Sequence, residues 1–523
     1  MPALRFDATL PPGFELRSAG FGPQTTPKVY LTDMSRRPLP TATRWAGWPI
    51  ERVRGRWLEV ETEAPPPYIV RAVIGSALGD LDVAIDNGGA GYYPQRSAPN
   101  LLIEAISSRL ERVRRRLDGA GLHADAFAGL GTAREALARG DFANAFLLAI
   151  KAGDDVEYQA SRQALTASGR RTLFSGTLCF GERLGGWAIG VGPDWPAGAE
   201  PPDFARPLAE REALLPVCEA MTLPNFWRWI EPEQGRYRWG VLDEMLEWAE
   251  AHGVFVKSFA IFWLGIGSVP RWLRDLTYAA QLKAIEGWTR ALVERFRGRI
   301  SAWETVNENH DWFFANPFGW ARGQRLEVAR MVNELVGALD PGTPRVVNNC
   351  QIWGEYTAEL ESRVSWLPSV LPPAVDSPLT FTEYLIEQGV PFEGIGLQYY
   401  LPGRDLLECA DQLDRFLALG KEVWVTEMGT TGLPLGDAPL ETGQVHPGAG
   451  WRGPWSEALQ ADWVRMWYTI ASARAGVRAL NYWDLTDGRA FIEGAGVLRR
   501  DGTPKPAFDA VVALREQAPL RPP

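Results

Sequence analysis

The chain has 523 residues and a formal charge of −10 from 64 Asp and Glu against 54 Lys and Arg. That balance argues against a polyanionic partner, since nucleic-acid binding relies on clustered Lys and Arg, and no run of about 18 apolar residues is present to cross a membrane as a helix. Cysteines 179, 218, 350 and 409 form no C-x-x-C pair and the four histidines no H-E-x-x-H spacing, so no disulfide framework, metal or cofactor is expected.

The length exceeds one ordinary core, and two units are expected. The N-terminus lacks the continuous apolar core of a signal peptide, which makes the cytoplasm the expected compartment; a chain trimmed of a leader would read the same and be secreted. Residues 1–98 read as short strands broken by Pro and Gly, such as Tyr68 to Ile74 before the turn Asp86-Asn87-Gly88-Gly89. A small β-sandwich is expected, with Trp45, Trp48 and Trp57 in its core or on a carbohydrate-binding face. Residues 99–183 are expected to form a helical connector, from the helical spacing of Leu101, Ile103, Ile106, Leu110, Val113 and Leu117 and of Ala143, Phe146, Leu147 and Ile150. Its basic run, Arg109 to Arg116, reads as a solvated helix face.

Tryptophan usage marks the next boundary: only three of 23 precede residue 180. From 184 to 516 strand-like apolar runs alternate with helical segments, the pattern of a (β/α)8 barrel of α/β class, leaving 517–523 as a tail. The eight candidate strands are Trp187 to Val191, Ala220 to Asn225, Val254 to Trp263, Ser301 to Glu308, Arg345 to Asn349, Gly394 to Gln398, Val423 to Glu427 and Leu480 to Trp483. Trp248, Trp288, Trp463 and Trp467 fall in predicted helices and read as packing residues.

Two of these strands end in acids, Glu308 and Glu427, so both point to the rim where a barrel places its active site. Glycoside hydrolysis needs one carboxyl group to protonate the leaving oxygen and a second to attack the anomeric carbon or activate water. A single Glu at a strand end is also what a solvated rim or an ion pair supplies. The pair, with the Asn307 amide beside Glu308 able to bind a sugar hydroxyl, points to the enzyme.

With these residues laid out, the chain from about 184 to 516 resembles glycoside hydrolase family 10, the retaining β-xylanases and their relatives. Trp303-Glu304-Thr305-Val306-Asn307-Glu308 is similar to that family's acid/base motif and Val425-Thr426-Glu427 to its nucleophile strand. Pro224 to Trp229 with Glu231 to Gly235 resembles its second-strand segment, Gly394 to Gln398 its sixth-strand motif, and Asp501 to Phe508 its C-terminal helix entry. The resemblance implies Glu427 as nucleophile and Glu308 as acid/base. It implies that Gln398 orients Glu427, that Asn225 and Asn307 bind hydroxyls of the sugar in the cleavage subsite, and that Trp483 forms an apolar wall beneath that sugar.

The chain departs from the family around the same sugar. The family's His positions on the third strand are Phe259 and Leu264, in the segment that also holds Trp263, which is expected beside the substrate. The second-strand Lys is Arg228, a planar fork instead of a point charge, and the His two residues after Gln398 is Tyr400. The expected substrate is therefore a β-linked glycoside, oligosaccharide or polysaccharide with altered recognition of the sugar. A barrel that binds carbohydrate without cleaving it, and a different hydrolase of the same clan, are the alternatives. The aromatic stretch Asn309 to Phe318 is expected to form a subsite wall or a self-packed loop, with His310 tuning Glu308 or simply packing. Thr430 to Trp455, holding His446 and Trp451, is expected to form a lid. Oligomeric state is not encoded in any feature of the sequence.

Overall fold

The computed structural model describes residues 3–17, 29–46, 57–94, 97–123, 127–169, 171–180, 205–265, 268–310, 316, 318–358, 376–400, 404–434, 450–488, 490–517 and 519. The N-terminal unit holds two antiparallel sheets. One orders Ala3–Asp7, Trp57–Glu61 and Ala42–Ala46; the other is built around Ile69–Ser76, which pairs with Glu15–Leu16, Val29–Thr32 and Gly79–Ile85. Trp45 and Trp57 lie on paired strands, and Trp48 lies outside the described residues.

Three helices follow: α1 (Leu101–Ala120), α2 (Ala128–Ala138) and α3 (Phe142–Ser168). Helix α1 starts where the Asn100 side chain accepts from the Leu102 and Ile103 N–H groups and stops at Gly121 in the left-handed region, φ 64°. Its apolar stripe, including Leu101, Ile106, Val113 and Leu117, shares one core with the N-terminal sheets.

The C-terminal unit is a closed parallel barrel. Its staves are β1 (Leu173–Gly176), β2 (Ala220–Leu223), β3 in two pieces (Phe255–Ser258 and Phe262–Trp263), β4 (Trp303–Asn307), β5 (Arg345–Asn349), β6 (Gly394–Tyr400), β7 (Glu422–Gly429) and β8 (Val477–Tyr482). Ser175 of β1 pairs with both Ala220 of β2 and Asn481 of β8, closing that seam. The break in β3 is spanned by Ser258 N–H to Ala302 O at 2.9 Å and Ile261 N–H to Glu304 O at 2.8 Å, so nine strand segments make eight staves.

The first stave corrects the sequence reading. Trp187 to Val191 lies outside the described residues, and the barrel begins at Leu173, inside the stretch assigned to the connector. Leu173-Phe174-Ser175-Gly176 has only two large apolar residues, and its strand character comes from neighbours on both sides. The helical tryptophans behave as expected: Trp288, Trp463 and Trp467 are fully buried in the barrel core.

The basic run is a second correction. Spacing of three puts Arg109 and Arg112 on the face of α1 that meets the barrel helix Leu406–Leu417, and both are buried. Arg109 pairs with Asp405, Arg112 with Glu408 and Asp411, and Arg71 of the N-terminal sheet reaches Glu408 at 3.0 Å. Arg404 of the barrel answers with Asp82 at 2.6 Å. Only Arg114 and Arg115 face solvent. Trp451 belongs to the same junction, not to a lid: it is buried, stacks on Trp455 and donates to Asp154 of α3 at 3.0 Å. His446 and the rest of 435–449 lie outside the described residues.

Removing one partner of a buried ion-pair cluster leaves uncompensated charge and typically loses about 3–5 kcal/mol. Glu408→Ala should therefore lower the melting temperature by several degrees, with little rescue by high salt because buried charges are weakly screened. Arg114→Ala should leave it unchanged. A Glu408→Ala melt equal to wild type would show that this junction does not hold the two units.

Candidate active site

Strand β4 ends at Asn307, and Glu308 then adopts φ 52°, a left-handed conformation rare for a residue with a Cβ. Its N–H is held by Asn348 O of β5 at 2.9 Å. Two irregularities in register build the rest. Between β4 and β5 the pairing skips Thr305, which sets Asn307 opposite Asn348. Between β6 and β7 it skips Thr426, which sets Gln398 opposite Glu427. Such bulges re-aim side chains at sites.

The outcome is a buried polar cluster. Gln398 Nε2 donates to Glu308 Oε1 at 2.8 Å and to Glu427 Oε1 at 3.0 Å. One nitrogen at those two distances bounds the separation of the two oxygens at about 5.8 Å. Trp263 Nε1 donates to the other oxygen of Glu308 at 3.1 Å. Asn348 Nδ2 faces Asn307 Oδ1 at 2.9 Å and Glu427 Oε1 and Glu304 Oε1 at 3.2 Å each. Behind them Lys257 pairs with Glu304, and both are buried.

Burial dominates the electrostatics. It pushes the Glu308 carboxyl up to about 7, against the pull of the Gln398 and Trp263 donors. Glu427 is driven well above the ordinary carboxylate range by burial, then by the charges of Glu304 and Glu308, with Lys257 and a Tyr400 hydrogen bond opposing. Two carboxylates this close and this dry hold a proton between them at neutral pH.

The other candidates fall around this cluster. Asn225 follows β2, fully buried; its Nδ2 donates to Ala260 O at 3.1 Å while its Oδ1 has no partner among the described residues. The Asn307 Nδ2 is likewise unpartnered. Arg228 sits half-buried on the one-turn helix Trp227–Ile230. Trp483 follows β8 and packs 6.4 Å from Tyr400 and 5.8 Å from Phe259, ring to ring. Phe259 also meets Phe226 at 4.8 Å and Trp263 at 5.8 Å, and Leu264 is fully buried. A carbon wall thus stands where the resemblance leads one to expect imidazoles.

His310 is fully buried and lies 3.7 Å from Cys350 Sγ through Nε2, while burial pushes its proton affinity down to about 3. It is a neutral packing residue. Residues 311–315 and 317 of the aromatic stretch lie outside the described residues. Sequence reasoning missed Asn348, Lys257 and Glu304 as members of the cluster. Asn348 could have been found by the rule that found the two acids, since it sits at the C-terminal end of a barrel strand.

The model of glycosyl hydrolase family 10 matches residues 200–316 and 375–514, the segments that carry every residue of this cluster except Asn348. The chain belongs to glycosyl hydrolase family 10. It is 25% identical over 303 residues to endo-1,4-beta-xylanase B of Thermotoga neapolitana, covering 56% of this chain and 78% of that one. Similarity to endo-1,4-beta-xylanase 1 of Arabidopsis thaliana is 24% over 206 residues, 39% of this chain and 20% of that one. The solved structure of GH10 from Paenibacillus barcinonensis aligns with 69% of this chain and 98% of its own, at 18% identity and a TM-score of 0.47. As a member of this family the protein is a glycoside hydrolase, and a carbohydrate is its substrate.

A carboxyl raised from its ordinary 4.5 to about 7 in the folded state binds its proton more tightly than in the unfolded chain. Its contribution to stability is present at acid pH and is lost as pH rises between those two values, in total roughly 3 kcal/mol. Glu308→Gln should therefore melt higher than wild type at about pH 8 and converge with it at about pH 4. Parallel melting curves across that window would place Glu308 in a hydrated environment instead.

Proposed function

We propose that the protein is a retaining β-glycosidase in which Glu427 is the nucleophile and Glu308 the acid/base. The observation that carries this reading is the single Gln398 amide nitrogen bonded to both carboxylates. The separation it allows fits the ~5–5.5 Å of retaining enzymes and falls short of the ~6.5–9.5 Å that inverting enzymes need for a water. Burial raises both carboxyls, so the pair holds one proton between them. The reactive state in this reading has that proton on Glu308 and has Glu427 ionised, its Oε1 held by Asn348 and Gln398.

The chemistry follows from that division. Glu308 gives its proton to the glycosidic oxygen as Glu427 Oε attacks the anomeric carbon, forming a glycosyl ester and releasing the first product. Glu308, now ionised, takes a proton from water as that water displaces Glu427, and the β configuration is restored. The unpartnered Asn225 Oδ1 and Asn307 Nδ2 supply one acceptor and one donor for sugar hydroxyls, and Trp483, Tyr400 and Phe259 supply a face for the ring. The relatives named endo-1,4-beta-xylanases support a β-1,4-linked, xylan-type backbone as substrate. The apolar third strand shifts recognition of the sugar at the cleavage point towards packing, and Arg228 puts a planar fork of donors where the family has a point charge.

Wild type and Glu427→Gln should be incubated with xylose-based and glucose-based β-oligosaccharides and aryl β-glycosides, with product anomers followed by proton NMR. The β-anomer should appear first with wild type, and Glu427→Gln should lose more than about a thousandfold in turnover. Turnover by that variant near wild type sinks the assignment. The wild-type kcat/KM should fall as pH rises through about 7, where Glu308 loses the proton it donates. Glu308→Gln should lose that limb on aryl glycosides with good leaving groups, which need no acid.

A further inference from the structure

At the end of the barrel opposite the carboxylates lies a funnel of about 760 Å³, opening between the first residues of the staves. A barrel of this type is normally filled there by layers of bulky branched side chains. Here Ala220, Ala302 and Ala479 occupy lining positions, and the space they would have filled stays open. Phe255, 45% exposed, stands at the mouth, and Trp424 forms part of the wall.

The floor is polar, and its unspent hydrogen-bonding capacity is of one kind. Lys257, 5% exposed, donates to Glu304 and to Ser258 O at 3.1 Å, which leaves the third N–H of its ammonium without a partner among the described residues. Asn481, 1% exposed, accepts from Ser175 Oγ at 2.7 Å and Thr222 Oγ1 at 3.1 Å, while its Nδ2 has no partner among the described residues. Trp424 Nε1 is in the same position. A buried donor without an acceptor is destabilising, so a molecule bringing acceptors is favoured. The two lining cations are already matched, Lys257 by Glu304 and Arg478 by Glu422 at 2.8 Å, so the funnel offers no net positive charge to an anion.

We infer that this funnel is a second binding site, for an uncharged small molecule whose apolar body packs on Trp424, Leu173 and Ala479 and whose carbonyl, ether or hydroxyl oxygen turns to Lys257 and Asn481. Its volume falls within the range of small-molecule sites, about 300–1,000 Å³. The site is separate from the catalytic cleft, and its existence does not depend on which sugar the enzyme cleaves.

The probe is Prodan, a neutral naphthyl ketone whose emission shifts to the blue in an apolar site, titrated into the whole protein. The blue shift should saturate at one equivalent and persist under a saturating β-1,4-xylo-oligosaccharide. Leu173→Trp and Ala479→Leu, which fill the funnel from two walls, should each weaken binding by at least about tenfold. Thermal melts establish that each variant is folded, and either one alone decides if the other is not. The inference is overturned if the probe does not bind, if the saccharide displaces it, or if a folded filled variant binds as wild type does. Each of those outcomes leaves the funnel holding water only.

Discussion

Two carboxylates buried on one amide nitrogen set the terms for everything around them. The Gln398 amide has two hydrogens, and they face Glu308 and Glu427. Asn348 shares two more among Asn307, Glu304 and Glu427. With acceptors outnumbering donors and water largely excluded, two full negative charges are costly at this spacing, and the arrangement is most stable with one proton in it. A retaining glycosidase requires that same state before it acts. Lys257, matched by Glu304 and buried with it, brings one positive charge to the lower side of the cluster without entering the cleft.

The cluster depends on two breaks in strand pairing. Side chains alternate along a stave, so a regular register would set Thr426 opposite Gln398 and turn Glu427 away from it. Skipping Thr426 puts Glu427 beside Gln398; skipping Thr305 puts Asn307 beside Asn348. The displaced threonines are absorbed by hydrogen bonds: Thr426 donates to Asn348 Oδ1, and Thr305 donates to Asn333 Oδ1 at 2.9 Å. The left-handed Glu308 is a third local departure at the same rim. These three departures fall where four side chains must converge, and the pairing of β7 with β8 shifts as well, between Val423 and Trp424 and between Val425 and Met428.

Much of this was legible in the chain. An apolar β-prone run ending in an acid states both a buried stave and its catalytic-end position, so Glu308 and Glu427 needed no tertiary information. The bulges did need it, because Thr305 and Thr426 look like ordinary strand residues until their neighbours are known. Strand β1 was hidden for a related reason: Leu173 to Gly176 is a strand only because β2 and β8 close on it. Arg109 and Arg112 read as solvent-facing, as Arg114 and Arg115 are, because charge is usually a sign of solvent and the carboxylates that bury them lie about 300 residues further along the sequence. Trp451 was placed over the cleft by its loop's position after Glu427, whereas Asp154, equally distant in sequence, draws it to α3.

The carbon wall beside the carboxylates bears on their shifted proton affinities. Phe259 and Leu264 place carbon where the family resemblance leads one to expect imidazole, and Phe259 bridges Phe226, Trp263 and Trp483 into a continuous apolar wall. Such a wall withdraws polarisable dipoles from the carboxylates, which strengthens the desolvation that raises both Glu308 and Glu427. Trp263 limits that effect at Glu308 by donating to the one oxygen Gln398 leaves free. A residue of that wall therefore also positions Glu308. The shape of the wall and the proton affinity of Glu308 are thus carried by the same rings, and a change to one moves the other.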